Sequence, residues 1–90
     1  MQKEIGMIYK VIIKKRALKS LGKINDADYN KIKTAIFNLA DNPRPSGCKK
    51  LKGRPGYRTR IGDYRVIYDI FDKVLEVYVI AVGNRKDIYD

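Results

Sequence analysis

The sequence predicts one small α+β domain: an N-terminal strand, an α-helical hairpin and a three-stranded antiparallel meander, with the helices packed on one face of a four-stranded sheet. Three observations predict it. At 90 residues, the chain has room for one domain and a single core. Its β-branched and aromatic runs fall at the start and in the last third. Between them lies a stretch of helical spacing, so the helices are grouped ahead of the meander and do not alternate with strands. Residues 1–90 are read as that single domain, with 1–6 a disordered or extra N-terminal segment, since the regular pattern begins only at Met7.

The elements follow in order. Met7 to Lys14, MIYKVIIK, reads as a strand. Lys15 to Leu21 has better helix formers and ends at Gly22, a C-cap. Asn25 or Asp26 caps a second helix, with Asp28 favourably placed in its first turn. Tyr29, Ile32, Ala35, Ile36 and Leu39 recur at helical spacing and form the stripe that faces the sheet. The helix must stop before Pro43, because a following proline disfavours the α conformation at Asn42. Pro43 to Gly56 reads as a loop containing all three prolines. Strands are expected at Tyr57–Ile61, Tyr64–Phe71 and Val74–Val82, joined by two-residue turns at Gly62-Asp63 and Asp72-Lys73. Gly62 stands where a type II′ turn needs a glycine.

Charge narrows the function. Twenty Lys and Arg against ten Asp and Glu give a net +10 and a pI near 9.8. That excess favours an acidic partner: nucleic acid, RNA first, or an anionic membrane or an acidic protein. With no histidine and a single cysteine, Cys48, the chain offers neither an internal disulfide nor a zinc ligand set. No cofactor or metal is expected. Neither a long apolar run nor a signal-peptide core is present, so a reducing cytoplasm and no membrane are expected.

From Arg44 to Arg65 there are eight Lys and Arg and one acid, Asp63. The turn at Gly62-Asp63 sets the register: Ile61 faces Tyr64, and Arg60 faces Arg65. Side chains alternate along a strand, so Arg58, Arg60 and Arg65 share one face. Tyr57, Thr59, Ile61, Tyr64, Val66 and Tyr68 share the other. Asp69 and Glu76 lie farther along the arginine face and relieve it only in part. Like charges directly opposite each other destabilise a hairpin. Such a broken local rule marks a site that holds an anion. Arg85, Lys86 and Tyr89 follow the last strand.

LKGRPGYRTRIGDYRVIYDI, followed by VYVIAVGNRKDIY, resembles the RelE/ParE superfamily of toxins from bacterial type II toxin–antitoxin systems. The resemblance runs from the MIYKV at Met7 to Tyr89 and implies the RelE/ParE-like fold. In the RelE branch, favoured by Arg65, Arg85 and Tyr89 together, it implies a metal-independent endoribonuclease, an mRNA interferase. Such an enzyme cuts mRNA in the ribosomal A site by attack of a 2′-hydroxyl on the adjacent phosphate. The family's catalytic positions fall on Arg58, Arg60, Arg65, Arg85 and Tyr89. Arg65 and Arg85 would take the phosphate, Arg58 and Arg60 the backbone, and Tyr89 the base or a proton. Lys49, Lys50, Lys52, Arg54 and Lys86 would bind RNA phosphates. Relatives carry lysines on the first hairpin strand where this chain has arginines, and many have histidine at the position of Asn84. Arginine keeps its proton, so the resemblance assigns no general base.

The same resemblance implies partners: the 70S ribosome with its mRNA, and a cognate antitoxin whose acidic or amphipathic segment wraps the toxin. Operator DNA would be reached only through the antitoxin. The alternative branch is ParE-like, a toxin that inhibits DNA gyrase by binding and cuts nothing.

Overall fold

The computed structural model describes residues 8–84. It shows five strands and two helices: β1 (Lys10–Ile13), α1 (Lys15–Leu21), α2 (Asp26–Asn38), β2 (Lys49–Lys50), β3 (Tyr57–Ile61), β4 (Tyr64–Phe71) and β5 (Glu76–Asn84). The strands form one mixed sheet in the order β1-β5-β4-β3-β2. β1 runs parallel to β5, and every other pairing is antiparallel. No helix among the described residues is long and apolar enough to cross a membrane.

The helical hairpin forms where its periodicity and caps place it. Asn25 caps α2 by accepting a hydrogen bond from the Asp28 amide at 3.0 Å, and its own side-chain amide donates to the Asp28 carboxylate. Gly22 ends α1 in a right-handed conformation, with its amide donating to the Leu18 carbonyl. Ala17 and Leu21 of α1 and Ile32, Ile36 and Leu39 of the α2 segment are buried against Val66, Tyr68, Val77, Val79 and Val82 of the sheet. This is the main core, on one face of the sheet. Leu51, Ile67 and Ala81 form a second, smaller cluster. Ile67 alternates with Val66 and Tyr68, so this cluster lies on the opposite face.

Three expectations are corrected. The stretch between Pro43 and Gly56 is not all loop: Lys49–Lys50 pairs with Arg58 and Tyr57, adding a fifth strand at the sheet edge. Two residues are too few for any alternation to show in sequence. The last turn spans Asp72 to Leu75, because Phe71 is opposite Glu76 and β5 begins there, not at Val74. Leu75 takes a positive φ of 54°, which reverses the chain while its side chain still reaches the core and its carbonyl accepts the Lys10 amide. Val74 is left 62% exposed. The first strand is shorter than expected, starting at Lys10; Met7 lies outside the described residues. A bulge at Ile67/Tyr68 shifts the β4–β5 register, so Ile67 is opposite Ala81 but Tyr68 is opposite Val79.

Candidate nucleic-acid interface

The β3–β4 hairpin forms as its turn dictates. Gly62 has φ 59°, while Asp63 is not in the positive-φ region. That combination fits a two-residue turn with glycine first. The register is the expected one: Ile61 opposite Tyr64, Arg60 opposite Arg65, Thr59 opposite Val66 and Arg58 opposite Ile67. Arg58, Arg60 and Arg65 therefore share the face that carries Ile67, away from the helices. Tyr57, Ile61 and Tyr64 pack against the main core with buried Val66 and Tyr68.

The three arginines are not equivalent. Arg60 is exposed, Arg65 is half-buried, and Arg58 is only 8% exposed. Arg58 stands opposite Ile67 on one side and Lys49 on the other, so its stem lies beside the Leu51–Ile67–Ala81 cluster. Such a cation is shielded from water and acts on an approaching anion through a lower effective dielectric. Arg58, Arg60, Arg65 and Asn84 all take part in interactions within the chain. Asn84 is opposite Tyr64 and Gly83 is opposite Arg65, so β5 ends beside the hairpin turn.

The structure sorts the loop cations as well. Lys49 shares a face with Arg58, extending the basic row to the sheet edge. Lys50 points the other way, into a cleft of about 500 Å³ lined also by Arg44, Tyr57, Asp69, Phe71 and Asp72. Lys52 and Arg54 are exposed between β2 and β3. Asp69 and Glu76 are on the arginine face but at its far end, opposite Tyr78 and Phe71. Tyr78 donates its hydroxyl to Glu76 at 3.0 Å. Asp69 is four residues from Arg65, roughly 13 Å along the strand. Arg85, Lys86 and Tyr89 lie outside the described residues.

Sequence reasoning missed a cluster at the other end of β4. Arg44 grips Asp72 with both terminal nitrogens, at 3.2 and 2.9 Å. Its Nε donates to the Tyr57 hydroxyl at 3.3 Å, and its guanidinium lies 5.3 Å from the centre of that ring. Tyr9 donates its hydroxyl to Asp72 at 2.6 Å. Tyr57 stacks on Tyr68, which is fully buried and donates to the Pro43 carbonyl at 2.8 Å. Arg44, and after it the Tyr9 hydroxyl, hold the Asp72 carboxyl below the usual aspartate range. Burial, with Cys48 beside it, pushes the Tyr68 hydroxyl well above the usual tyrosine range. The partners are 28 residues apart in sequence for Arg44 and Asp72, and 63 for Tyr9 and Asp72, so no local motif announces them.

Comparison with known proteins adds to this geometry. The family described as the ParE toxin of the type II toxin–antitoxin system parDE matches residues 11–89. The mRNA interferase toxin RelE of Escherichia coli (strain K12) is 30% identical over 83 residues, covering 89% of this chain and 86% of that protein. A RelE1 toxin of Methanocaldococcus jannaschii, itself described as putative, is 33% identical over 92% of this chain and 97% of that protein. The solved archaeal RelE–RelB complex from Pyrococcus horikoshii OT3 contains a chain with TM-score 0.79 and 31% identity, matched over 91% of this chain and all of that one. A mutant of the E. coli toxin RelE, solved in the free state, superposes with TM-score 0.74 at 28% identity, over 89% of this chain and 86% of that one.

Proposed function

This chain belongs to the ParE toxin family of type II toxin–antitoxin systems, and from that premise we propose that it is a RelE-type toxin that cleaves messenger RNA. The observation that carries this reading is the Arg60–Arg65 pair, two cations directly opposite each other on the open sheet face, with Arg58 and Lys49 alongside. A strand pair that accepts this repulsion gains from an anion lying across it. The relatives named mRNA interferase supply the reaction class.

The proposed reaction is transfer within the RNA, without a metal, in the ribosomal A site. The 2′-hydroxyl of one nucleotide gives up its proton and attacks the adjacent phosphate; a P–O bond forms to close a 2′,3′-cyclic phosphate, the bond to the next 5′-oxygen breaks, and that oxygen takes up a proton. Charge builds on the non-bridging oxygens, where Arg65 and Arg85 would donate bidentate hydrogen bonds. Arg58 and Arg60 would hold the flanking backbone. Lys49, Lys50, Lys52, Arg54 and Lys86 would bind neighbouring phosphates, each releasing counterions. Tyr89 would stack on the base beside the scissile bond or pass a proton. The setting is the cytoplasm. The partner is an antitoxin, as in the solved toxin–antitoxin complexes similar to this chain. We assign it the acidic or amphipathic segment that complements a net charge of +10.

Primer extension on mRNA from cells expressing the chain tests this reading. Codon-positioned cuts that disappear with Arg65→Ala are the expected result. The matching family model bears the ParE name, which favours a second reading: gyrase inhibition with no nuclease activity. Intact messages with accumulating DNA breaks would establish that reading and overturn the first.

A further inference from the structure

We infer that Arg44 and Asp72 are positioning residues: their ion pair latches the segment between α2 and β3 so that its cations meet RNA in register with the hairpin arginines. This inference rests on the proposed RNA-cleaving function. The segment carries Lys49, Lys50, Lys52 and Arg54, yet its only strand is the two-residue β2. Two ladder pairs, Lys49–Arg58 and Lys50–Tyr57, hold it to the sheet. So short an edge strand is marginal unless its approach is fixed elsewhere. Downstream, the Leu51 amide donates to the Gly56 carbonyl, and the Leu51 side chain is buried. Upstream, the fixing points are Tyr68 on the Pro43 carbonyl and Arg44 on Asp72 and Tyr57. Asp72 is in turn held by Tyr9, so the latch joins the start of the chain, the segment, the hairpin and the β4–β5 turn.

The latch changes what Arg44 is for. By composition it belongs with the other cations of its segment. By geometry its donors are committed to a carboxylate and a phenol, with its guanidinium over Tyr57. The pair is also half-exposed, at 44% and 54% for the two side chains. Exposed pairs add little to global stability. Its effect therefore belongs to local order in the segment.

Asp72→Asn removes a negative charge, which by itself tightens binding to a polyanion. The latch requires the opposite. In ribosome-programmed mRNA cleavage, Asp72→Asn and Arg44→Gln should each raise KM about fivefold, the scale of one exposed ion pair, with kcat unchanged. The double variant should be no worse than either single one, since both remove the same contact. Hydrogen exchange at the Leu51 amide should quicken by a similar factor, about fivefold, while Val66 and Val79 keep their protection. A lower KM in Asp72→Asn would overturn the inference and make Arg44 a direct RNA contact restrained by Asp72. Unchanged exchange at Leu51 would overturn it equally. If the wild-type protein leaves programmed mRNA uncut, the functional reading fails, and the exchange measurement alone decides the latch.

Discussion

The two ends of β4 handle arginine in opposite ways. At the hairpin end, Arg65 stands directly across from Arg60, and Arg58 and Lys49 continue the row. At the other end, roughly 20–25 Å along the strand, Arg44 is neutralised by a bidentate carboxylate and covered on one side by a tyrosine ring. The same residue type stands across from another cation in one place and is a structural tie in the other. The net charge of +10 does not distinguish them. What does is geometry: Arg65 has another cation across the ladder, whereas Arg44 holds a carboxylate.

The largest functional effect is expected at Arg65. If the hairpin cations serve the phosphate, Arg65→Ala should lower kcat by about 10²–10³, the loss expected when one donor to developing charge is removed. Single-turnover cleavage of ribosome-bound mRNA measures it. The fold should persist, because Arg65 belongs to neither buried apolar cluster. A variant that retains near wild-type rates would leave the arginine row without a catalytic use.

The other end should respond in stability. Tyr68→Phe strands the Pro43 carbonyl, now served by a buried hydroxyl at 2.8 Å. A loss of about 1–3 kcal/mol is expected for a buried acceptor left unsatisfied. Gly56→Ala should cost a comparable amount, about 1–3 kcal/mol for a side chain forced into a glycine conformation. Gly56 has φ 117°, and an added methyl would meet the Asp69 carboxylate at 2.8 Å and the Tyr68 carbonyl at 3.3 Å. Denaturant unfolding reads both. Stability unchanged in either variant would mean that the segment is not anchored where the geometry places its anchors.

A smaller effect sharpens the contrast by having two signs. Arg60→Glu replaces a like-charge cross-strand pair with an opposite one. It should raise stability by about 0.2–1 kcal/mol while weakening RNA binding. A loss in both measurements would show that Arg60 is a structural tie like Arg44 and not a binding cation.

The two ends also differ in how legible they are from sequence. The hairpin register follows from Gly62-Asp63, because a two-residue turn admits one pairing and glycine supplies its positive φ. The helical stripe at Ile32, Ile36 and Leu39 is equally plain, since its spacing matches the helix period. The β4–β5 turn is not legible. Its reversal is made by Leu75 at φ 54°, a residue type that gives no turn signal. The burial of Arg58 is also hidden, since it arises from Leu51 and Ile67, which lie outside its own strand, and not from its own neighbours in sequence. Tertiary contacts among Tyr9, Arg44, Tyr57 and Asp72 leave no local pattern at all. Lys50 illustrates the same limit: adjacent to Lys49, it faces the latch cleft while Lys49 faces the arginine row.

The smallest expected effect is a pH dependence confined to the latch. Arg44 first, and the Tyr9 hydroxyl second, keep the Asp72 carboxyl below its ordinary value of 3.8. The folded state therefore favours the charged form. The stabilisation is complete above that ordinary value and fades as pH falls through the lowered one. Thermal melts of the wild type and Asp72→Asn should differ slightly near neutral pH. That gap should close only at pH values below about 4. A gap for Asp72→Asn that persists unchanged into strong acid would mean that the carboxylate's charge does not hold the latch. The Tyr9 and Tyr57 hydroxyl contacts would then be its true fastening.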